Sequence, residues 1–381
     1  MSALQAQTVP QIVNRKLKIL LVSERFHPRV GGVETVTRLL ATGLVRLGHR
    51  VRVMTRERAG DGASFGYAVL RYPGPIRLLW QYASADAVIV QGPAVRLGWP
   101  LFWRRGLALM IHHMKPGAAP DRFSGWLRSK LARRAHHAAV SKALAEHLPW
   151  PVEAILPNPY DAGIFQIDPA VPRALDVIFV GRLIPEKGAT VLVRALAILR
   201  QSGQSITAML VGEGPERGPL GRELGSGALE KNVQFAGEVT GSRLAQMLNQ
   251  HRLMIVPSLG EEGFGVVALE GIACGCAVIG SDAGGLPEAI GPCGTTFPMG
   301  NAESLAAKIR QLLGSDTEIV AFHVAAGEHL AKHRPSAVAR RYLDLLASLP
   351  ANREGTSRQT SRPRILTSEL NVGTSRPRPV S

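Results

Sequence analysis

Short apolar runs recur along the chain, and most of them end in a polar loop that contains glycine or proline. Runs of this length predict buried parallel strands, and the longer segments between them predict crossover helices. The predicted strands lie at residues 17–22, 49–55, 68–72, 87–90, 107–111, 138–140, 176–180, 208–212, 233–236, 253–257 and 277–280. This alternation predicts an α/β protein, and 381 residues are enough for two domains of ordinary size.

The polar, proline-containing stretch at residues 168–173 predicts the boundary between the two domains. We expect a flexible arm, an N-terminal domain, a C-terminal domain, a helix that packs back towards the N-terminal domain, and a basic tail. Their predicted bounds are residues 1–16, 17–168, 169–335, 336–349 and 350–381. The tail has little to bury and is predicted to be disordered. Residues 129–137 are predicted to be helical, and two helices, near 302–313 and 336–347, are predicted to finish the fold.

Candidate chemistry concentrates in the stretch 254–288. Gly263, Phe264 and Gly265 precede a predicted helix at 266–273, where glycines let backbone N–H groups approach an anion and the helix dipole favours it. Glu262 and Glu270 flank this loop, and ionised carboxylates are strong acceptors for sugar hydroxyls. Taken as an isolated pair, the two acids are more often an ordinary loop acid and a solvated helix residue than parts of a site.

Three other loops follow predicted strands at positions suited to a site. Arg182 and Lys187 leave the strand at 176–180 and are able to clamp a diphosphate or to remain solvated. His112 and His113 end the strand at 107–111 and are either ligand groups or hydrogen-bonded loop residues. A glycine pair, residues 31 and 32, precedes the first helix, where it is more often a turn than a site.

The motifs in both halves resemble those of the retaining glycosyltransferases of family 4, also called glycosyl transferases group 1. The donor-site signature of that family is P-S-x-x-E-G-F-G-x-x-x-x-E-A-x-A-x-G. This chain carries it with one change, because Gly271 replaces the alanine that follows the second glutamate. The matching residues are Pro257, Ser258, Glu262, Gly263, Phe264, Gly265, Glu270, Ala273 and Gly275. Outside the signature the matches are Pro28, Gly31, Gly32, Glu34, Gly181, Arg182, Lys187, Gly188, Gly212, Gly214 and Pro215.

This resemblance implies a GT-B fold, in which two Rossmann-like domains face each other across a cleft, and it assigns roles to residues. The implied catalytic residues are Glu262, His113, Arg182 and Lys187. The implied donor-binding residues are Gly31, Gly32, Gly181, Arg182, Lys187, Gly212, Val239, Glu262, Gly263, Phe264, Gly265, Val266 and Glu270. Within that set Glu270 would hold the ribose, Val239 the base, and Arg182 with Lys187 the diphosphate. The family often carries an acid after the cleft histidine, where this chain has Met114 and Lys115.

The implied reaction is transfer of a hexose from a UDP- or GDP-sugar to an acceptor hydroxyl with retention of the anomeric configuration. The acceptor would be lipid-linked or a glycan, in the synthesis of cell-surface polysaccharide, lipopolysaccharide or glycolipid. The sequence offers no D-x-D and no ligand-spaced His/Cys/Asp cluster, so we expect no metal and no cofactor. Two alternatives stay open: a sugar-nucleotide epimerase of the same fold, and a non-catalytic protein that binds nucleotide sugars.

The formal net charge of +16 and the sequence pI near 10.5 call for an anionic partner. Residues 96–137 carry nine basic residues against one acid, with Trp99, Phe102, Trp103, Phe123 and Trp126 interleaved. A solvated face, a nucleic-acid surface and an anionic membrane surface are all compatible with this pattern. We favour the membrane and expect no nucleic acid, because no recognised binding motif accompanies the charge.

The three cysteines are too few for a disulfide framework, and no apolar run reaches the length of a membrane span. The N-terminus lacks the apolar core of a signal peptide. We therefore expect a cytoplasmic enzyme, peripheral at the inner face of the cell membrane.

Overall fold

The computed structural model describes residues 15–350 except 30, 61–63, 93, 105, 116–121, 227–228 and 261, and the side chains of 122–124 and 226 are also outside it. The predicted arm at 1–14 and the predicted tail at 351–381 therefore lie outside the described residues. The remainder forms two parallel β-sheets with helices on their faces.

The first sheet has seven parallel strands in the order β3-β2-β1-β4-β5-β6-β7. The strands are β1 (Lys18–Val22), β2 (Arg50–Thr55), β3 (Ala68–Arg71), β4 (Ala87–Gln91), β5 (Leu107–His112), β6 (His136–Ala139) and β7 (Ala154–Ile155). The order reverses at β1 and β4, which makes a crevice at the carboxyl ends of these strands. Nearly every residue of β1 and β4 is buried, because helices cover both faces of the sheet.

Alternate residues of the central strands pack into two different cores. Ile19 and Leu21 face one core, whereas Leu20 and Val22 face the other, as the two-residue period of a strand requires. The described helices of this domain are α1 (Gly32–Arg46), α2 (Pro75–Ser84), α3 (Val95–Gly98), α4 (Arg122–Ala132) and α5 (Lys142–Ala145), with a 3₁₀ turn at Trp99–Phe102. Helix α1 covers the first core, while α2, α3, the 3₁₀ turn and α4 cover the second.

The second sheet has six parallel strands in the order β10-β9-β8-β11-β12-β13. They are β8 (Leu175–Val180), β9 (Ala208–Val211), β10 (Val233–Gly237), β11 (His251–Val256), β12 (Ala277–Ser281) and β13 (Gly294–Phe297). The helices are α6 (Ala189–Gln201), α7 (Arg217–Ser226), α8 (Gly241–Gln250), α9 (Val266–Ala273), α10 (Leu286–Ile290), α11 (Ala302–Leu313), α12 (Asp316–Ala331) and α13 (Pro335–Ser348). Its strand order also reverses between the first and fourth strands, so both domains have a Rossmann-like arrangement.

The last helix, α13, lies against α1 of the N-terminal domain. Val338 and Tyr342 of α13 are fully buried in the same core as Leu40 of α1. The two backbones approach so closely at Gly43 that a β-carbon there would lie 2.4 Å from the carbonyl oxygen of Pro335. The chain therefore crosses from the N-terminal domain to the C-terminal domain and returns.

Two sequence-based expectations about secondary structure were wrong. Residues 133–137 are not helical: α4 ends at Ala132, and β6 already begins at His136, where pairing with β5 satisfies the backbone. Three helices, not two, finish the fold, because α12 lies between α11 and α13. Only Ile319 and His329 of α12 are buried, so its apolar residues do not form the one-sided stripe that signals a surface helix.

Candidate active site

The two domains touch where the loop after β11 meets the end of β5. A β-carbon on Gly263 would lie only 1.8 Å from the carbonyl oxygen of His113, so glycine alone fits there. The Ser141 hydroxyl donates a hydrogen bond to the carbonyl oxygen of Gly263 at 2.7 Å. Loops at the carboxyl ends of both sheets therefore form the two walls of one cleft, the position where open α/β sheets bind ligands.

A second contact across the cleft involves Glu288 of α10. Its Oε1 accepts hydrogen bonds from the backbone N–H groups of Lys142, at 2.7 Å, and Ala143, at 3.3 Å. These are the first N–H groups of α5, which have no partner within the helix. A carboxylate there also opposes the positive end of the helix dipole. The sequence pattern does not single out Glu288, which is the last residue of the stretch 254–288.

Lys187 and Glu262 form an ion pair in the wall built by the C-terminal domain. Glu262 Oε1 also accepts a hydrogen bond from the Ser258 hydroxyl at 2.9 Å, and the backbone of Ser258 is held by Ser281 at 2.8 Å. Arg182 is exposed and lies on the same loop as Lys187. The structure thus brings Lys187 and Glu262 together from positions that are 75 residues apart.

Glycines make these loops possible by close backbone contacts. Gly188 has a φ of 68°, and a β-carbon there would lie 1.9 Å from the carbonyl oxygen of Pro257. This contact holds the Lys187 loop against the Glu262 loop. Gly212 has a φ of 139°, and its β-carbon would lie 1.8 Å from the carbonyl oxygen of Gly181. Gly181 and Gly212 therefore pack on each other beneath the site.

Helix α9 begins beside Glu262. Gly265 has a φ of 92° and precedes the helix, while Phe264 is buried and its ring centroid lies 5.4 Å from that of His333. Val266 is the half-buried first residue of α9. This packing places the positive end of the α9 dipole at the loop that carries Glu262, where an anion would be stabilised.

Glu270 lies on α9, near the segment that links the domains. Burial, with a smaller contribution from the negative charge of Asp161, raises the pKa of Glu270 to about 8. Asp161 is itself paired with Arg38 of α1, with Nη2 and Oδ2 separated by 2.8 Å. Burial therefore favours the protonated form of the Glu270 carboxyl.

His113 follows β5 in the wall built by the N-terminal domain. Its Nε2 lies 2.5 Å from Gln91 Oε1, so this nitrogen carries the proton and donates it to the amide oxygen. Its Nδ1 is buried and has no hydrogen-bond partner among the described residues. Burial, with a smaller contribution from the neighbouring His112, lowers the pKa of His113 to about 4 and so favours the neutral ring.

His112 has a structural environment instead. Its Nε2 lies 2.9 Å from Nδ1 of His137, and its ring stacks on Trp150 with the centroids 5.3 Å apart. Burial lowers its pKa to about 4 as well. Of the two histidines, His113 is the one whose neighbour across the cleft is Gly263.

The remaining donor-site candidates are Gly31, Gly32 and Val239. Gly31 precedes α1, and a β-carbon there would meet the buried carboxylate of Glu34 at 2.5 Å, whereas Gly32 has open space around it. Val239 follows β10 and is buried. Within the part of the chain that the structure describes, no three His, Cys, Asp or Glu side chains are grouped to hold a metal ion.

Solved structures share this arrangement of two facing domains. Anabaena Alr3699/HepE in complex with UDP-glucose superposes with a TM-score of 0.72 at 21% identity, covering 87% of this chain and 100% of that one. Sucrose-phosphate synthase from Thermosynechococcus elongatus superposes with a TM-score of 0.70 at 22% identity, covering 87% and 98%. The protein therefore has the GT-B fold, as the sequence predicted.

Sequence comparison supplies the class of enzyme. Residues 174–315 match the family described as Glycosyl transferases group 1. Glycogen synthase of Mycobacterium tuberculosis is 26% identical over 357 residues, covering 78% of this chain and 86% of the relative. GDP-mannose-dependent alpha-(1-6)-phosphatidylinositol monomannoside mannosyltransferase of Mycolicibacterium smegmatis is 26% identical over 364 residues, covering 82% and 93%. Residues 174–315 thus carry a glycosyl transferases group 1 domain.

Proposed function

We propose that the protein is a retaining hexosyltransferase of family 4 that transfers a hexose from a nucleoside-diphosphate sugar to an acceptor hydroxyl. The observation that carries the proposal is the ion pair of Lys187 with Glu262, because Glu262 lies on the loop that touches His113 across the cleft. UDP- and GDP-sugars are the candidate donors. One neighbour is complexed with UDP-glucose and one relative is named GDP-mannose-dependent.

Donor binding would rearrange the ion pair. The diphosphate carries more negative charge than one carboxylate, so it competes with Glu262 for Lys187, with Arg182 as the second cation. Glu262, still held by Ser258, then becomes an acceptor for a hydroxyl of the donor sugar. Glu270 accepts hydrogen bonds from the ribose hydroxyls, and Val239 contacts the base.

The chemical step would depend on position and charge. The bond from the anomeric carbon to the diphosphate oxygen breaks while the acceptor oxygen bonds to the same face of that carbon. The departing phosphate oxygen takes the proton of the acceptor. Arg182, Lys187 and the α9 dipole stabilise the charge that grows on the leaving group, and we propose that they do so without a metal ion. Neutral His113 would use its unpaired Nδ1 to accept a hydroxyl of the sugar.

The acceptor would be a lipid-linked molecule or a glycan reached at an anionic membrane, on the cytoplasmic side. Two aromatic side chains of the basic stretch are exposed, Trp103 at 69% and Trp126 at 53%, and the Lys130 ammonium lies 5.7 Å from the Trp126 ring centroid. Trp99 and Phe102 instead pack against the core of the N-terminal domain. No described helix combines the length and the apolar character needed to cross a bilayer.

The test is a transfer assay with a panel of UDP- and GDP-sugars and a membrane lipid extract, with the anomeric configuration of the product read by NMR. The proposal predicts acceptor-dependent donor consumption and a product of retained configuration. Donor conversion without any acceptor would indicate an epimerase. An inverted product would overturn the retaining mechanism.

A further inference from the structure

Helix α2 exposes large apolar side chains on its outer face. Ile76 is 86% exposed and Trp80 57%, and Leu79 between them is also exposed. Leu78 and Tyr82 on the inner face are buried, and the Tyr82 hydroxyl donates a hydrogen bond to Leu97 at 2.9 Å. The helix is therefore firmly attached by one face while it presents an apolar second face to the surroundings.

Basic side chains surround these apolar groups. The Arg52 guanidinium lies 5.4 Å from the Trp80 ring centroid and donates a hydrogen bond to Gln81 at 2.9 Å. The Arg56 guanidinium lies 5.8 Å from the ring centroid of exposed Tyr72. The sequence from residue 62 to residue 85 contains no acid. We call this set the α2 surface: Arg52, Arg56, Tyr72, Ile76, Arg77, Leu79 and Trp80.

The α2 surface lies beside the opening of the cleft. Tyr72 and Ile76 come just after the carboxyl end of β3, and His113 comes just after the carboxyl end of β5. All strands of this sheet are parallel, so both positions are at the same edge. β3 and β5 are separated by four strand spacings, which is about 19 Å. A flat partner on the α2 surface would therefore lie next to the cleft.

An apolar helix face binds either another protein surface or a lipid bilayer. The positive charge of the α2 surface favours one of these two partners. A second copy of this chain that used the same surface would bring Arg52, Arg56 and Arg77 against the same three arginines of its partner. An anionic bilayer supplies phosphates for the arginines, a headgroup layer for Trp80 and acyl chains for Ile76 and Leu79. Basic residues with aliphatic and aromatic neighbours on one helix face are the pattern of interfacial membrane helices.

We propose that the α2 surface inserts into the interface of an anionic lipid bilayer and holds the cleft at the membrane. This inference rests on the proposed function, since it identifies the surface from which a lipid-linked acceptor would enter. The basic stretch around Trp103 and Trp126 then adds long-range attraction, and α2 provides the apolar insertion.

Co-sedimentation with vesicles tests the proposal. The protein would be mixed with vesicles of phosphatidylcholine alone or with about one third phosphatidylglycerol. The test variant is Ile76→Ser/Trp80→Ser, and the matched control is Val320→Ser/Val324→Ser, which removes two exposed valines (57% and 79% exposed) from α12 in the C-terminal domain. We expect binding to anionic vesicles only, weakened by salt, with about a tenfold loss for the α2 variant and none for the control.

Three results would overturn the proposal. These are equal vesicle binding by the α2 variant and the wild type, loss of binding only in Trp103→Ser/Trp126→Ser, and a dimer that the α2 variant converts to a monomer. Thermal unfolding and UDP or GDP titration of each variant check that the fold and the donor site are intact. Vesicle binding without any nucleotide binding would refute the donor site and leave the α2 surface standing.

Discussion

The two walls of the cleft differ in how they present polar groups. The C-terminal wall carries the charged pair Lys187 and Glu262, with the α9 dipole beside it. The N-terminal wall presents His113, kept neutral by burial and oriented by Gln91. A diphosphate is stabilised by positive charge, whereas a sugar is oriented by directed hydrogen bonds. The difference therefore indicates that the C-terminal wall binds the leaving group and that the N-terminal wall orients the hexose.

The largest effect is expected from separating the walls. Gly263→Ala places a β-carbon 1.8 Å from the His113 carbonyl oxygen, so the cleft cannot close as observed. We expect kcat/KM for transfer to fall by about 100-fold or more, because misplacement by an ångström is that costly. The control is Gly221→Ala, on α7, where a β-carbon meets nothing within 4 Å. Activity within a few-fold of the wild type would contradict the closed contact.

Removing charge from the C-terminal wall should separate binding from turnover. Glu262→Gln frees Lys187 from its partner, so UDP or GDP binding is expected to strengthen by about 1 kcal/mol while kcat falls about 100-fold. Lys187→Met should weaken both. Calorimetric titration with the nucleotides and steady-state kinetics measure the two quantities. Equal losses of nucleotide binding in the two variants would show that Lys187 and Glu262 do not have separate roles.

The neutral N-terminal wall predicts that His113 contributes no limb to the pH profile of kcat. The pKa of His113 is lowered to about 4, so its protonation does not change between pH 5 and 8. His113→Asn is expected to reduce kcat about tenfold at every pH in this range without altering the shape of the profile. A limb near pH 6.5 that disappears in the variant would mean that His113 titrates and that the N-terminal wall acquires charge.

Glu270 gives the smallest effect, on stability. Burial raises its folded-state pKa to about 8 from the ordinary value of 4.5, so the folded protein holds this proton more tightly than the unfolded chain. The contribution of Glu270 to the free energy of unfolding is therefore largest below about pH 4.5, and it is lost as the pH rises towards 8. Compared with Glu270→Gln, the melting temperature of the wild type should drop by a few degrees between pH 5.5 and 8. A difference that is constant with pH would contradict the burial of an ionisable carboxyl.

The sequence predicted the C-terminal wall better than the N-terminal wall for a physical reason. The strand, the glycine loop and the helix at 266–273 are adjacent in the chain, so local signals define them. The contact of Gly263 with His113 and the capping of α5 by Glu288 depend on residues about 150 positions apart, and no local pattern encodes them.

The wrong secondary-structure predictions also arise where local sequence signals are weak or where distant contacts decide the structure. The start of β6 at His136 depends on pairing with β5, and α12 buries too few side chains to give a periodic signal. The α2 surface was not anticipated either, since apolar residues that face outwards look like core residues in the sequence.

The most direct test of the account is calorimetric titration of the protein with UDP, GDP and ADP in EDTA, repeated with Arg182→Ala and Lys187→Met. We expect saturable binding of one nucleotide without metal, weakened about tenfold or more in both variants. Binding that neither variant changes, or no binding of any nucleotide, would contradict a diphosphate site built on the C-terminal wall.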